Sequence, residues 1–296
     1  MELRQLKYFE KACEQQNFSE AARLLHISQS TLSQQIKQLE EELDVLLFDR
    51  IGKRVVPTEA GNAFLPYARK AIQDAESGRQ IIRDLKGIET GTLLIGATYS
   101  LSGLLTDALA EFTRTYPKIK VEITFATSHE LLEALAGGQM DCVLSFRPEG
   151  CCGTFETLPL FSSGLYFIVH RSHPLAGVSS MTLKRLSQTP LILPAQGFAT
   201  RRKIEEICRQ KELELTVGME INDVQTIIRL LDGGRWATIL TEAAVRNEPE
   251  LVKIPILSVE RLTTQGFLFW PQGVYRKKSA QAFADILQQA VSRRRR

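Results

Sequence analysis

The sequence predicts an α/β protein in three parts: an N-terminal winged helix-turn-helix, a long linker helix and a bilobal α/β domain. Three observations lead there. Residues 28–39 form a helix whose exposed face carries no acid. One amphipathic stretch runs unbroken from Thr58 to about Lys86. After Gly87, short apolar runs alternate with helical patterns, the mark of strands joined by crossover helices. At 296 residues the chain is too long for one ordinary domain.

The N-terminal elements follow from local chemistry. "LKYFEKACEQQ" places Leu6, Phe9, Ala12 and Cys13 on one helical stripe. A second helix is expected from Ser19, a good N-cap, to about His26. "HIS" (26–28) makes a tight connection, and Ser28 caps a third helix, with Ile27 and Leu32 at the spacing of a hydrophobic staple. "LFDRIGKRVVP" reads as a small hairpin, or wing. Thr58 caps the long helix, whose stripe is Phe64, Ala68, Ala71, Ile72, Ala75, Ile82 and Leu85, interrupted by Pro66. A long helix with one apolar stripe is most simply paired with a second copy of itself.

The third helix carries the functional signal. At 100° per residue, Leu32, Ile36, Leu39 and Leu43 cluster within about 60°. The opposite face holds Ser30, Gln34 and Lys37, flanked by Ser33 and Gln38, with Gln29 and Thr31 on the first turn. Ser and Gln are indifferent helix formers here, but they suit base edges: Gln bonds adenine in pairs, and Ser and Thr serve several bases. An ordinary solvated face mixes both signs of charge. One without acid for three turns suits a surface lying against phosphates. Such a helix belongs in the major groove. In the wing, Arg50, Lys53 and Arg54 surround Gly52 and can reach backbone or minor groove. Residues 1–58 hold eight Lys or Arg and nine Asp or Glu, so attraction to DNA depends on segregation of charge. The net charge of +3 owes four of its positive charges to residues 293–296, and the body is slightly acidic.

Beyond the linker, "GTLLIGA", "VEITFAT" and "CVLSF" read as strands separated by helices, the second helix capped by Ser128. A second set, "LYFIVHR", "PLILPA", "LTVGME" and "ATILTE", brackets helices over about 200–211 and 224–232. The end is a strand in "TTQGFLFWP" and a helix in "SAQAFADILQQAV". Two α/β units with a late strand and helix predict two lobes between which the chain crosses twice.

Residues 6–61 resemble the LysR-type transcriptional regulators almost without gaps, and "HPL" (173–175) and "GGRWATIL" (233–240) extend the likeness over the whole chain. The resemblance implies a winged helix-turn-helix over 1–58, a dimerising linker helix over 59–88, and a periplasmic-binding-protein-like effector domain over 89–296. Lobe I is then about 91–162 with 266–296, and lobe II about 163–265. It implies a homodimer through the linker helix and a homotetramer on inverted-repeat promoter DNA. The DNA-contacting positions it carries over are Gln29, Ser30, Thr31, Ser33, Gln34, Lys37, Arg50, Arg54 and Thr58, to which the wing adds Lys53.

Effectors of this family bind between the lobes. Here that implies Ser100, Ser102, Thr127, Ser128, Phe198, Thr200 and Arg201, whose hydroxyls at helix starts suit a small anion and whose guanidinium adds a charge-assisted bond. The same hydroxyls also read simply as N-caps. The family's peroxide sensors carry a reactive Cys before the lobe II helix; this chain has Ala199 and Thr200 there, with Cys208 further on. The five cysteines fit no metal spacing and read as reduced thiols. A redox role for Cys151 and Cys152 is an alternative, as is a DNA-binding domain fused to a small-molecule enzyme. No phosphate loop, nucleophile elbow or zinc-protease motif is present, so neither an enzyme nor a cofactor is expected. The sequence has no membrane-length apolar run and opens without a signal-peptide pattern, so a cytoplasmic protein is expected.

Overall fold

The computed structural model describes residues 1–51, 54–85, 87, 90–148, 155–258 and 262–295, with the side chains of 50, 51 and 295 excepted. It forms two compact units, residues 1–86 and 87–296. Among the described residues no helix is long and apolar enough to cross a membrane.

The first unit contains α1 (Leu3–Gln15), α2 (Phe18–Leu24), α3 (Gln29–Leu43), β1 (Phe48–Ile51), β2 (Arg54–Pro57) and α4 (Glu59–Asp84). The cap of α2 differs from expectation. Asn17, not Ser19, is the N-cap, its Oδ1 accepting from the amides of Ser19 and Glu20. The helix also stops at Leu24, because His26 turns into the left-handed region at φ 55°. Ser28 caps α3 through the Thr31 amide. Leu32, Ile36 and Leu39 of α3 are fully buried with Phe9, whose ring lies 5.4 Å from both Phe48 and Phe64. The N-terminal half of α4 thus belongs to this core, through Phe64, Leu65, Ala68 and Ile72. Pairs Arg69–Glu10 and Lys7–Glu76 tie the helix to α1 on either side of its midpoint. Gly61 is required there: a Cβ would lie 2.2 Å from the Leu47 carbonyl oxygen.

The second unit contains β3 (Gly91–Ala97), α5 (Ser102–Thr115), β4 (Ile119–Phe125), α6 (Ser128–Ala136), β5 (Cys142–Phe146), β6 (Phe155–His170), β7 (Met181–Thr182), α7 (Leu183–Ser187) and β8 (Leu191–Pro194). It continues with α8 (Ala199–Gln210), β9 (Val217–Ile221), α9 (Val224–Leu231), β10 (Ala237–Thr241), β11 (Leu251–Leu257), β12 (Thr263–Pro271) and α10 (Lys278–Arg295). Short 3-10 turns at Tyr99–Leu101 and Glu242–Val245 follow β3 and β10.

The sheet runs β4-β3-β5-β12-β6-β10-β8-β9, with β11 beside β6 and β7. β3, β4 and β5 are mutually parallel, as are β8, β9 and β10; β6 and β12 run against their neighbours. The 16-residue β6 serves both halves. Up to Gly164 it pairs with β12, and from Leu165 with β10 and β11. The chain returns at Leu262–Thr263, where the Leu262 carbonyl accepts from the Leu165 amide at 2.7 Å. Separate cores flank this crossing, one around Phe112, Leu268 and Phe283, the other around Phe167, Leu191, Ile204 and Ile239.

Candidate nucleic-acid interface and effector domain

On α3 the buried and exposed faces separate as the periodicity requires. Gln29, Ser30, Thr31, Gln34, Lys37 and Gln38 are exposed, and Ser33 is half-buried at the edge of the core. The hydroxyls of Ser30 and Thr31 each lie 2.8 Å from that of Ser28 and are partly used there. Gln29 and Gln34 have no side-chain partner among the described residues, so both amide ends are available. Lys37 pairs with Glu41 at 3.4 Å. Glu40 ends the acid-free face but does not stand on it. It is 8% exposed, and one carboxylate oxygen accepts from the Leu47 amide at 2.8 Å and the Phe48 amide at 3.2 Å. Sequence reasoning missed this residue, which fixes where the wing begins; its acidic neighbours Glu41 and Glu42 hid it.

β1 and β2 pair in register, Phe48 with Pro57 through Ile51 with Arg54. Arg54 is exposed. Lys53 and the side chain of Arg50 lie outside the described residues. Thr58 is engaged within the fold, its hydroxyl donating to the Leu46 carbonyl and accepting from the Gly61 amide.

The residues expected around an effector fall into distinct settings. Ser128 does not cap α6. Thr127 does, in a capping box with Glu130, and hydrogen bonds from the Thr127 hydroxyl and amide hold the Glu130 carboxyl below its usual range. Ser128 is buried, accepting from Ser145 Oγ at 2.7 Å. Thr127 stands beside Gly197, where a Cβ would lie 3.4 Å from Thr127 Cγ2. Thr200 is 2% exposed and its hydroxyl has no partner among the described residues. Ser100 sits in the 3-10 turn after β3, and Ser102 opens α5 without capping it.

Arg201 is engaged within the fold. It is 4% exposed, and Nε donates to Glu205 at 2.5 Å, Nη2 to Glu220 at 2.8 Å and Nη1 to the Pro194 carbonyl at 3.3 Å. Two carboxylates balance its charge, and its bonds tie α8 to β8 and β9.

Aromatic stacking connects the two halves. The Tyr99 ring lies 5.2 Å from Phe125 and 6.2 Å from Phe198, both near parallel. Thr98 and Thr241, the last residues before the two 3-10 turns, carry buried hydroxyls with no partner among the described residues. Sequence reasoning missed both, though each ends an apolar strand run ("LLIGAT", "ATILT") with a hydroxyl.

Residues 3–62 match the model of the bacterial regulatory helix-turn-helix proteins of the lysR family, and residues 86–292 match the LysR substrate binding domain. The chain belongs to the LysR family of transcriptional regulators. As such it is a DNA-binding regulator of transcription. Among its relatives is the RuBisCO operon transcriptional regulator of Allochromatium vinosum, 26% identical over 98% of this chain and 97% of that protein. A full-length OxyR variant from Pseudomonas aeruginosa has a TM-score of 0.73 at 25% identity, covering 98% of this chain and 94% of that one. CbnR complexed with its target DNA shares the fold, with a TM-score of 0.62 at 24% identity over 98% of this chain and all of the other.

Within this LysR-type chain the described cysteines are buried. Burial pushes the Cys13 thiol up to about 12 and also raises Cys142 and Cys208, the last with help from Glu205. Thiols raised this way are poor nucleophiles. Cys151 and Cys152 lie outside the described residues.

Proposed function

We propose that this regulator reads inverted-repeat promoter sites through α3 and reports the level of a small anionic metabolite held between the halves of its second unit. The observation that carries the DNA reading is the face of Gln29, Ser30 and Gln34, exposed and without acid from Ser28 to Leu39, with Lys37 at its end paired to Glu41. Ser30, Thr31 and Ser33 complete the surface toward bases, while Arg50, Lys53, Arg54 and Thr58 border the backbone. In footprinting, Gln29→Ala and Gln34→Ala each weaken a cognate site by about 1–3 kcal/mol and relax its sequence. Arg54→Ala weakens all sequences alike and flattens the salt dependence. Unchanged footprints in both Gln variants refute the assignment.

Paired half-sites need paired chains. Ile82 near the end of α4 is 61% exposed and Leu85, just after it, 74% exposed, with Tyr67 also bare. These support a homodimer through this helix and, from it, a homotetramer. Placing Glu at both Ile82 and Leu85 yields monomers by light scattering and removes binding to paired half-sites. A fully oligomeric double variant moves the interface elsewhere.

For the effector, the unpartnered hydroxyl of Thr200, with Thr98 and Thr241 nearby in the topology, supports a ligand that supplies the missing bonds. The proposed site further takes in Ser100, Ser102, Thr127, Ser128 and Phe198; the approach of Gly197 to Thr127 and of Phe198 to Tyr99 supports this grouping. Thr200→Val removes the ligand-dependent change in promoter occupancy and leaves ligand-free DNA affinity intact; retention of that change overturns the reading. A regulator of this kind acts in the cytoplasm, where promoter DNA lies.

A further inference from the structure

The Tyr99 ring belongs to one half and packs against the core of the other. It is carried by the 3-10 turn after β3, yet it rests on the cluster that holds Ile168, Val224, Ile227 and Leu240. There it stacks on Phe198, the residue before α8, at 6.2 Å and 24°. Phe125, at the end of β4, stacks on the same ring at 5.2 Å and 22°. We propose that Tyr99 is a latch, a positioning residue whose ring, seated across the seam, sets the angle between the two halves.

Each ring stands on a fixed mount. The Thr98 amide donates to the Leu144 carbonyl at 3.1 Å, and the Thr98 carbonyl accepts from the Leu101 amide at 2.9 Å, so the turn that carries Tyr99 is held to β5. The Phe198 carbonyl accepts from the Arg202 amide at 3.1 Å, which joins it to α8, and Arg201 ties α8 to β8 and β9. Phe198 is buried, whereas Phe125 is 36% exposed and adds little to either core. Its part is to hold the plane of Tyr99, since stacked rings constrain one another in tilt as well as in distance. An aliphatic side chain in the same seat would bury apolar surface without fixing a plane. The loop before α8 meets the first half once more, where Gly197, at φ 94°, passes Thr127.

A ring that is either seated or released gives the halves two states. A ligand that binds one of them better shifts the balance between them. The latch bears on DNA through the function proposed above, in which the second unit governs how the DNA-binding units are held.

The test measures the angle directly in the full-length protein. Spin labels are attached at His129→Cys in α6 and Arg202→Cys in α8, exposed positions on the first and second halves, with Cys151→Ser and Cys152→Ser alongside. Labelled chain is diluted with unlabelled chain, so that pulsed electron resonance reads distances within one chain. The parent gives one narrow distance distribution, and Tyr99→Phe, which keeps the ring, gives the same one. Tyr99→Ala broadens it roughly twofold or more. Phe198→Leu, which keeps an apolar side chain in the core and so preserves the fold, broadens it as well. The Tyr99→Ala, Phe198→Leu double variant is no broader than Tyr99→Ala, because both changes remove one contact. If Tyr99→Ala loses the circular dichroism of the folded chain, Phe198→Leu decides. An unchanged distribution in either Tyr99→Ala or Phe198→Leu overturns the proposal, as does a Tyr99→Phe distribution as broad as that of Tyr99→Ala. Bending of an inverted-repeat fragment selected from random duplex DNA is read by gel mobility on the same variants. A broadened distribution with unchanged bending upholds the latch and counts against the coupling of the second unit to DNA.

Discussion

Replacing Glu40 by Ala should uncouple the wing from the recognition helix. The carboxylate is buried and serves two backbone amides, Leu47 at 2.8 Å and Phe48 at 3.2 Å. Hydrogen bonds to a charged acceptor contribute about 1.5–3 kcal/mol each, and the amides left behind are buried. Some relaxation and water entry offset the loss, so the expected destabilisation is about 3 kcal/mol. For a unit of this size that lowers the midpoint by roughly 12 °C or more. Glu40→Gln keeps an acceptor oxygen and should cost only about 1 kcal/mol. The assay exploits the placement of the two tryptophans, Trp236 and Trp270, which both lie in the second unit. Helical circular dichroism reports both units, tryptophan fluorescence only the second. Glu40→Ala should shift the first component of the dichroism transition and leave the fluorescence transition in place. It should also lower affinity for DNA of any sequence, since the wing is displaced. Unshifted dichroism, or the two signals shifting together, would refute the argument.

Gly61→Ala should destabilise the same unit by roughly 2 kcal/mol or more, because the new methyl meets the Leu47 carbonyl; denaturant unfolding followed by dichroism measures this. Arg201→Gln should lower the tryptophan-detected midpoint, by about 2–4 kcal/mol of stability, since it strands Glu205 and Glu220 on a partly buried surface. Burial holds the His173 imidazole below its ordinary value, and its Nδ1 accepts from the Leu175 amide. The unfolded chain therefore takes up the proton first: this contribution is complete above about pH 6.5 and is lost as pH falls below it. His173→Asn should flatten that part of the stability profile, and an unchanged slope would remove His173 from the account.

The first unit was largely legible because its signals are local. A period of 3.6, Ser28 before a staple and a basic turn between β-prone runs are each readable within a dozen residues. The error at Ser19 arose because two good N-cap residues stand two positions apart: Asn17 takes the Ser19 and Glu20 amides and so starts the helix at Phe18. The second unit was legible as alternating strands and helices. The antiparallel course of β6 and β12 was not, because pairing of Phe269 with Thr157 joins residues far apart in sequence. Of the proposed effector site the sequence displays only residue types and their order. Hydroxyls at helix starts are visible in sequence, but whether one is a cap, as Thr127 is, or unbonded, as Thr200 is, depends on tertiary neighbours. The same holds for Arg201, whose balancing Glu220 comes from another strand.

The strand shared by the two halves has a mechanical consequence. Because β6 passes unbroken from one sheet to the other, and the return at Leu262 is bonded to it at Leu165, the halves cannot slide past each other. They can only turn about a narrow axis through that pair of crossings. Such a joint acts as a lever: displacement is smallest at β6 and grows by about 4.8 Å of arm for each strand outward. β4 and β9, the outermost strands, therefore travel furthest for a given turn. A ligand that shifts side chains by a fraction of an ångström near the axis is read out as a much larger movement at the rim.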